Sequence, residues 1–545
     1  MPGTNRIRMA IALGLAAASA PITFWLHAQT NDSRALSTLM PSGALLYLEA
    51  KDFHSLLTDW DNSAEKKRWI TSANYEILSR SRLLGRLSQA QNEFTSLAGI
   101  PVAMQLTDQV AGERSAFAFY DFSALRLVYL TQITQSRVEA TELWRNRAHY
   151  ESHDAAGIAF YVKTDPGSNR TIAFANYKEW FLLTTNENLM AHALVLLSGQ
   201  RGASIATEGW FTSAAHQTQT QGDLRLVYNL TALLRTPQFR TYWIQRNANE
   251  LKAYSSGSSD LYSRHDGFEE QRVMLRSNET APETTNESLN DVLAYARNAS
   301  SLYRAWSMPD SKLLGEVLHQ VILGEPAGRA LYNPPAPIVS AEAGAVGSEA
   351  ELETRIDEPP FQPASEQSVT PLVNAITAMQ PTALLHVQAS TILRDQVFVM
   401  PDSGAVIICK QPERAALDRA MAQVSNLMQT GTLDALRVSI EGNAIILTRM
   451  DLARGAPNGA VANDATYVAV YSHSAEWPHY RKLFEILDRT AANPEMTVSA
   501  NTPAFFSGNL QSIGESLSRL RRISITTADR GALLRETVRY EWAQQ

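Results

Sequence analysis

Cysteine is almost absent from the chain. Its 545 residues include one, Cys409, so no intramolecular disulfide can form. Cys409 ends the apolar run 405–409, which predicts a buried side chain that acts as a small hydrophobe. Lys410 follows it, but in a strand the two side chains would project from opposite faces, which disfavours an activated thiolate. No cysteine lies directly after the N-terminal apolar segment, which excludes lipid attachment to a cysteine at that position.

Familiar catalytic motifs are missing as well. The chain contains no G-x-S-x-G elbow, no H-E-x-x-H pair, no Walker loop and no G-x-G-x-x-G turn. Serine-hydrolase, zinc-protease, nucleotide and dinucleotide sites therefore lack their physical parts. Ser63 and Lys66 match the S-x-x-K pattern of penicillin-recognising enzymes, but the companion S-D-N and K-T-G motifs are absent and Ser63 fits a helix start. We favour a protein that is not an enzyme, and the question stays open.

The chain has no excess of positive charge. It carries 48 Lys and Arg against 55 Asp and Glu, for a formal net charge of -7. A net-acidic surface argues against a nucleic-acid partner, because such proteins neutralise phosphates with basic patches. With 45% hydrophobic residues the chain is globular, and its length is enough for at least two cores.

Long hydrophobic runs are confined to the N-terminus. Arg6 and Arg8 precede the apolar segment 9–18, and Pro21 then interrupts it. This layout predicts that residues 1–28 are a signal peptide cleaved after Ala28, and an uncleaved N-terminal anchor is the alternative. Both place the rest of the chain in the periplasm or outside the cell, with at most one membrane segment.

Short segments with similar sequences recur along the chain. The stretch Pro41–Lys51 is a turn followed by an apolar run, and similar segments occur at Asp223–Leu230, Pro381–Gln388 and Pro503–Leu510. A predicted hairpin turns at Asp266-Gly267 and another at Asp529-Arg-Gly531, near the ends of the two recurrences. Short turns between the strand-like runs of residues 115–184 predict antiparallel pairing.

The predicted fold class is therefore α+β, with two related halves of mainly antiparallel sheet packed with amphipathic helices. We place the first half at 41–277, a helical extension at 288–332 and the second half at 372–545. Residues 333–371 hold seven prolines and seven acids against the single Arg355, which predicts a flexible, acidic, Pro-rich linker.

Two clusters of histidine and glutamate are candidate metal sites. In a strand, His149, Glu151 and His153 would project from one face and could supply three ligands to a metal ion. The alternative is a solvent-facing polar stripe, because no fourth ligand can be identified. The second cluster lies in residues 473–479. His473, Glu476 and His479 have the spacing of helix turns, but Pro478 lies among them and would disturb the shared face.

Several segments together resemble a family of bacterial envelope proteins that is known as a domain of unknown function. They are Met40–Ala50, Ser72–Tyr75, Ser79–Leu83 and Pro503–Asn509. The resemblance covers most of the chain apart from the linker. It implies an exported bacterial protein, in agreement with the N-terminus, and it supplies no catalytic residues.

From these observations we expect a non-enzymatic binding or scaffolding module at the cell envelope, without a cofactor. An envelope protein, a glycan or a lipid is the expected partner. Two alternatives stay open. One is a metal-dependent or other hydrolase with an unrecognised site, and the other is a periplasmic carrier that holds an apolar ligand between its sheet and helices.

Overall fold

A computed structural model describes most of the chain outside its N-terminus and its central segment. The described residues are 35–72, 75, 89, 92–100, 109–218, 221–236, 251–278, 287–296, 302–323, 369–393, 396–427, 436–452, 454–455, 464–491 and 511–543. Three predicted features lie outside the described residues: the signal peptide or anchor at 1–28, nearly all of the linker at 333–371, and the repeated segment at 503–510. No helix in the described part is both long and apolar enough to span a bilayer.

The described part contains eighteen strands and thirteen α-helices. The strands are β1 Leu46–Ala50, β2 Ser115–Asp121, β3 Arg126–Gln132, β4 Glu151–Ala155, β5 Ile158–Thr164, β6 Thr171–Tyr177, β7 Trp180–Thr184, β8 Leu224–Tyr228, β9 Tyr254–Arg264, β10 Gly267–Arg276, β11 Leu302–Ser307, β12 Pro381–Leu393, β13 Gln396–Cys409, β14 Arg437–Glu441, β15 Ala444–Thr448, β16 Tyr467–Tyr471, β17 Leu520–Asp529 and β18 Leu533–Trp542. The helices are α1 Phe53–Asn62, α2 Ala64–Ile70, α3 Gln135–Glu139, α4 Glu142–Arg145, α5 Glu187–Leu197, α6 Gly209–Ala215, α7 Leu230–Leu233, α8 Glu287–Leu293, α9 Ser311–Leu323, α10 Thr370–Ala378, α11 Arg414–Leu427, α12 His473–Ala491 and α13 Gln511–Ser516.

All eighteen strands join in one antiparallel sheet. Their pairings give the spatial order β4-β5-β6-β7-β3-β2-β1-β8-β9-β10-β18-β17-β16-β11-β12-β13-β15-β14. The predicted α+β class with mainly antiparallel sheet is therefore confirmed. The antiparallel pairing that was predicted within 115–184 includes the hairpin β2–β3, and the two predicted turns at Gly267 and Gly531 connect β9 to β10 and β17 to β18.

The segment 288–332 differs from the helical extension predicted for it. It has the helices α8 and α9, but strand β11 lies between them and pairs with both β12 and β16. The sequence Leu-Tyr-Arg-Ala-Trp-Ser hides this strand because a charged residue, Arg304, interrupts its apolar pattern. Strand β11 lies between β12 and β16, and β1 lies between β2 and β8. The repeated segment at 381–388 is on β12, which pairs with β11 and β13.

Strands β12, β13 and β15 are buried on both faces, which explains their continuous apolar runs. On one face, here named face A, Leu384 and Ile407 belong to a core with helices α9, α10 and α11. On the opposite face, face B, Leu385 and Val406 pack in a core with residues of α8. Successive side chains alternate between the faces, so any polar residue in these runs enters a core.

Strands β10 and β18 join the earlier and later parts of the chain. Their register runs from Gly267 opposite Glu541 to Leu275 opposite Leu533. At Gly267 the backbone has φ +151, and a Cβ there would lie 1.8 Å from the carbonyl oxygen of Tyr540. Only glycine fits this close approach, so glycine at this position allows β10 and β18 to stay paired as far as Gly267.

Candidate functional site

Four polar side chains interrupt the apolar face A of strands β11, β12 and β13. Cross-strand register places Arg304 of β11 opposite His386 of β12, and Gln388 of β12 opposite Ser403 of β13. His386 is fully buried, and Gln388 and Ser403 are nearly so. The apolar residue Leu384 precedes His386 on the same face. These four residues therefore form a buried polar cluster, which we name the Arg304 cluster.

The hydrogen bonds of the Arg304 cluster run in one direction. Arg304 Nη2 lies 3.1 Å from His386 Nδ1 and donates to Gln388 Oε1 at 3.1 Å. Because a guanidinium has donors only, His386 Nδ1 must accept. The imidazole proton is therefore on Nε2, which lies 2.9 Å from Ser403 Oγ and donates to it.

Burial fixes the charge states in the cluster. Burial first, and then the positive charge of Arg304, lower the pKa of His386 well below its ordinary value. The imidazole is therefore neutral near pH 7. Burial also lowers the pKa of Arg304, while Tyr467 and Glu316 raise it. A guanidinium remains charged at neutral pH even when its pKa is lowered, because its ordinary pKa is far above 7.

The direction of the hydrogen bonds determines what Ser403 and His386 can do. In a serine-hydrolase triad, a carboxylate accepts a hydrogen bond from Nδ1–H, which leaves the lone pair of Nε2 free to take the proton of the serine hydroxyl. Here Arg304 donates to Nδ1 and Nε2 carries the proton, so His386 has no lone pair towards Ser403. The pair cannot act as a base and nucleophile in this state. The cluster is a chain of donors.

Arg304 also has donors that the described residues do not use. A guanidinium has five N–H groups, and Nη2 spends its two on His386 and Gln388. Nε is buried without a hydrogen-bond partner in the described part of the chain. Within that part, no carboxylate forms an ion pair with Arg304 either. The Arg304 side chain also lies over the ring of Trp306, with Cζ 5.7 Å from its centroid.

Two other arginines of the sheet, Arg225 and Arg276, contrast with Arg304 because a carboxylate pairs with each of them. Arg225 donates from Nε and Nη2 to Asp260, at 2.7 and 2.9 Å. Arg276 contacts both oxygens of Asp529. These pairs match the fork geometry of guanidinium and carboxylate. The partners of Arg304 are neutral by comparison, so its charge has no local compensation from an ion pair.

Helix α12 adds a second set of polar contacts beside β12. Glu476 is fully buried and accepts from Ser390, from its Oγ at 2.6 Å and its backbone N at 3.3 Å. His473 stacks on Trp477, and burial lowers the pKa of His473. His479 Nδ1 lies 3.1 Å from a backbone oxygen of its own helix. The three residues at 473–479 therefore have separate partners.

The predicted metal ligands lie at the edge strand β4. His153 Nδ1 is 2.6 Å from Glu187 Oε1, and its Nε2 is 3.6 Å from Glu151 Oε2. The strand premise was wrong for His149, which ends a short 3-10 helix, Asn146–His149, before β4 begins. Among the described residues, no group of three or more His, Cys, Asp or Glu side chains could hold a metal ion. The metal site stays a prediction with zinc analysis as its test.

Two smaller predictions concern single residues. Ser63 is the N-cap of α2 and accepts from the backbone N of Lys66 at 3.0 Å, so the S-x-x-K match lies in a helix start. Cys409 is buried in the core on face A, and burial raises the pKa of its thiol to about 12. The prediction of a buried hydrophobe at Cys409 is therefore confirmed.

Sequence reasoning missed the Arg304 cluster. The available indication was the alternation in β12, where His386 and Gln388 follow Leu385 and Val387 with a period of two. Such a pattern usually predicts a polar face exposed to solvent. Only the register with β11 and β13 shows that this face is buried and that Arg304 meets it.

Comparison with known proteins gives only distant structural likenesses. No family model matches the chain, and no curated protein matches it. Among solved structures, crystal form I of TP0453 is 12% identical, with a TM-score of 0.24, over 46% of this chain and 82% of that chain. Crystal forms III and IV of TP0453 are also 12% identical, with TM-scores of 0.24 and 0.22, over 45% and 44% of this chain and 81% and 79% of theirs. Scores this low do not establish a shared fold.

Proposed function

We propose that the protein is a non-enzymatic binding module of the bacterial cell envelope, exported by its N-terminal segment. The observation that carries this proposal is the Arg304 cluster. Its hydrogen bonds prevent His386 from acting as a base towards Ser403, while Arg304 keeps donors that no described residue accepts. A site of this kind suits holding a ligand.

The N-terminal segment supports the proposed location of the protein outside the cytoplasm. Arg6 and Arg8 followed by an apolar segment favour export to the periplasm or beyond. The net charge of -7 favours an envelope protein, a glycan or a lipid over nucleic acid as the partner. The resemblance to an envelope family supports the same compartment.

We also propose that the chain consists of two related halves, and that the segment 333–371, which the sequence predicts as the linker between them, lies within the second half. The order of strand pairing supports this. Strand β1 pairs with β2 and β8, and the chain continues outward to β3 on one side and to β9 and β10 on the other. Strand β11 pairs with β12 and β16 and continues to β13, β17 and β18 in the same way. On this proposal the second half includes β11 as well as 372–545.

A thermal-shift screen of the purified full chain tests the binding function. The screen uses peptides, glycans and lipids extracted from bacterial envelopes, and we expect at least one class to raise the melting temperature in a dose-dependent way. The absence of any stabilising partner contradicts the proposal. Turnover of a model ester that Ser403→Ala abolishes also contradicts it and favours a hydrolase.

A further inference from the structure

The surroundings of Arg304 differ on the two sides of strand β11. Towards β12 it meets His386 and Gln388, which occupy Nη2. Towards β16 its cross-strand neighbour is Ala469, whose methyl group fills little space beside it. Beyond Ala469 the register reaches Ile525 of β17, which is partly exposed. The polar network is thus confined to one side of the guanidinium.

Aromatic rings border the same region of face A. The Arg304 guanidinium lies over Trp306, two residues along β11. The Trp306 ring in turn lies 5.4 Å, centroid to centroid, from that of Tyr467. Arg304 and Trp306 are both partly exposed, so this part of the sheet is not sealed by the core. A ligand with an apolar or aromatic portion can pack here while its charged group meets Arg304.

The charge of Arg304 indicates what that group is. A cation held in a protein interior is costly unless an anion and hydrogen bonds compensate for it. The carboxylate whose charge most affects Arg304 is Glu316 of α9, yet no ion pair joins them in the described part of the chain. Arg225 and Arg276 show how this protein pairs a guanidinium when the partner is internal. The Nη1 group has no acceptor among the described residues and suits an oxyanion from outside the chain. Nε is buried and also lacks an acceptor there.

We propose that Arg304 binds the carboxylate or phosphate group of an external ligand, whose apolar portion packs against Trp306. His386 and Gln388 are positioning residues, because they hold Nη2 and thereby orient the guanidinium. This assignment rests on the proposed binding function and adds the chemical class of its ligand.

Simple aromatic anions test the assignment. The probes are benzoate and phenyl phosphate, with benzamide as the uncharged counterpart, and binding to the purified full chain is measured by ligand-observed NMR. We expect the wild type to bind at least one anion at least about tenfold more tightly than benzamide, since a charge-assisted pair adds roughly 1.4 kcal/mol or more. Tighter binding of benzoate supports a carboxylate ligand, and tighter binding of phenyl phosphate supports a phosphate ligand.

Substitutions at Arg304 identify the residue responsible. We expect Arg304→Met to weaken anion binding at least about tenfold and Arg304→Lys to weaken it less, since lysine keeps the charge without the fork. The matched control is Arg522→Met, which removes a partly buried arginine whose Nη2 donates to Tyr303 OH at 3.5 Å. Tyr303 is next to Arg304 and on the opposite face of β11. Anion affinities equal in Arg304→Met and wild type overturn the proposal.

Two further measurements separate this proposal from misfolding and from the broader function. Without ligand, we expect Arg304→Met to melt no more than a few degrees below the wild type, since no ion pair is lost. Loss of cooperative unfolding in Arg304→Met would contradict an Arg304 that has no ion pair within the protein. An envelope partner that stabilises the wild type and Arg304→Met equally leaves the binding function standing and overturns the Arg304 assignment. Failure of every partner and every anion overturns both.

Discussion

Glu270 and Glu536 occupy equivalent positions of the paired strands β10 and β18, and one guanidinium serves both. The register is centred on Gln271 opposite Thr537, so each glutamate lies one residue before the centre of its strand. Arg272 donates to Glu270 at 2.6 Å and to Glu536 at 3.0 Å. All three are buried. Although burial opposes it, the charge of Glu270 raises the pKa of Arg272.

We therefore expect Arg272→Met to be strongly destabilising, because it leaves two carboxylates buried side by side. Breaking such a group costs about 3 to 5 kcal/mol of the free energy of unfolding, measured by urea denaturation near neutral pH. The control is Arg414→Ala, which breaks an exposed pair with Asp418 and should cost less than about 0.5 kcal/mol. A cost for Arg272→Met below about 1 kcal/mol would contradict the role of the buried charge.

Gly267→Ala tests the joint between β10 and β18. Its φ of +151 and the 1.8 Å approach of Tyr540 O leave no room for a methyl group. We expect a loss of roughly 1 to 3 kcal/mol in the free energy of unfolding, because the backbone must shift. Gly209→Ala is the control, since nothing lies within 4 Å of its added Cβ and it begins helix α6. Equal effects of the two substitutions would show that the close approach is unimportant.

The stability of the protein should fall on mild acidification, in part through His386. Its pKa is lowered in the folded state, whereas an unfolded histidine titrates at about 6.5. Above that pH neither state binds the proton. Below it the unfolded state binds a proton that the folded state excludes, so each pH unit removes about 1.4 kcal/mol until the folded pKa is reached.

His386→Gln should remove that contribution. We expect the slope of unfolding free energy against pH, measured in urea between about pH 6.5 and 5.5, to decrease by about 1 kcal/mol per pH unit. His149→Gln replaces an exposed imidazole and serves as the control. A wild-type slope that His386→Gln leaves unchanged would mean that this imidazole is not the excluded site.

Cys409 offers a direct probe of the core on face A. Because the thiol is buried and burial raises its pKa to about 12, we expect a thiol reagent to label the native chain at least about 100-fold more slowly than the urea-unfolded chain. The control is the Cys409→Ala chain, which shows no labelling in either state. Rapid labelling of the native chain would place Cys409 outside the core.

Metal analysis tests the alternative hydrolase hypothesis at β4. His153 is already engaged by Glu187, and His149 lies outside the strand. We expect the purified protein to hold well below one zinc per chain, because a structural zinc site as a rule needs about four protein ligands. Stoichiometric zinc that His149→Ala and His153→Ala remove would establish the metal site.

Local features of the sequence predicted much of the sheet. The alternation within β1, the turn before Gly267 and the turn before Gly531 are determined by residues close together in the chain, and each gave the correct strand or hairpin. The buried state of Cys409 followed from its own apolar run. Local pattern was therefore sufficient wherever a strand is apolar and its turn contains glycine.

The Arg304 cluster could not be predicted in the same way. Its residues come from three strands, and the charge of Arg304 made β11 look unlike a strand. Its hydrogen-bond partners on β12, His386 and Gln388, are distant from it in sequence. Long-range register brings these groups together, and a single sequence does not reveal register between distant strands.

The sheet has two outer strands, and the polar residues on them affect how the molecules behave in concentrated solution. Within the described part, β4 pairs with β5 alone and β14 pairs with β15 alone. Glu151 is a strongly exposed side chain of β4, and Arg437 on β14 reaches Asp451 at 2.7 Å. Charges along such margins oppose the edge-to-edge pairing of one molecule's sheet with that of the next. We therefore expect Glu151 and Arg437 to disfavour growth of this long sheet into fibres.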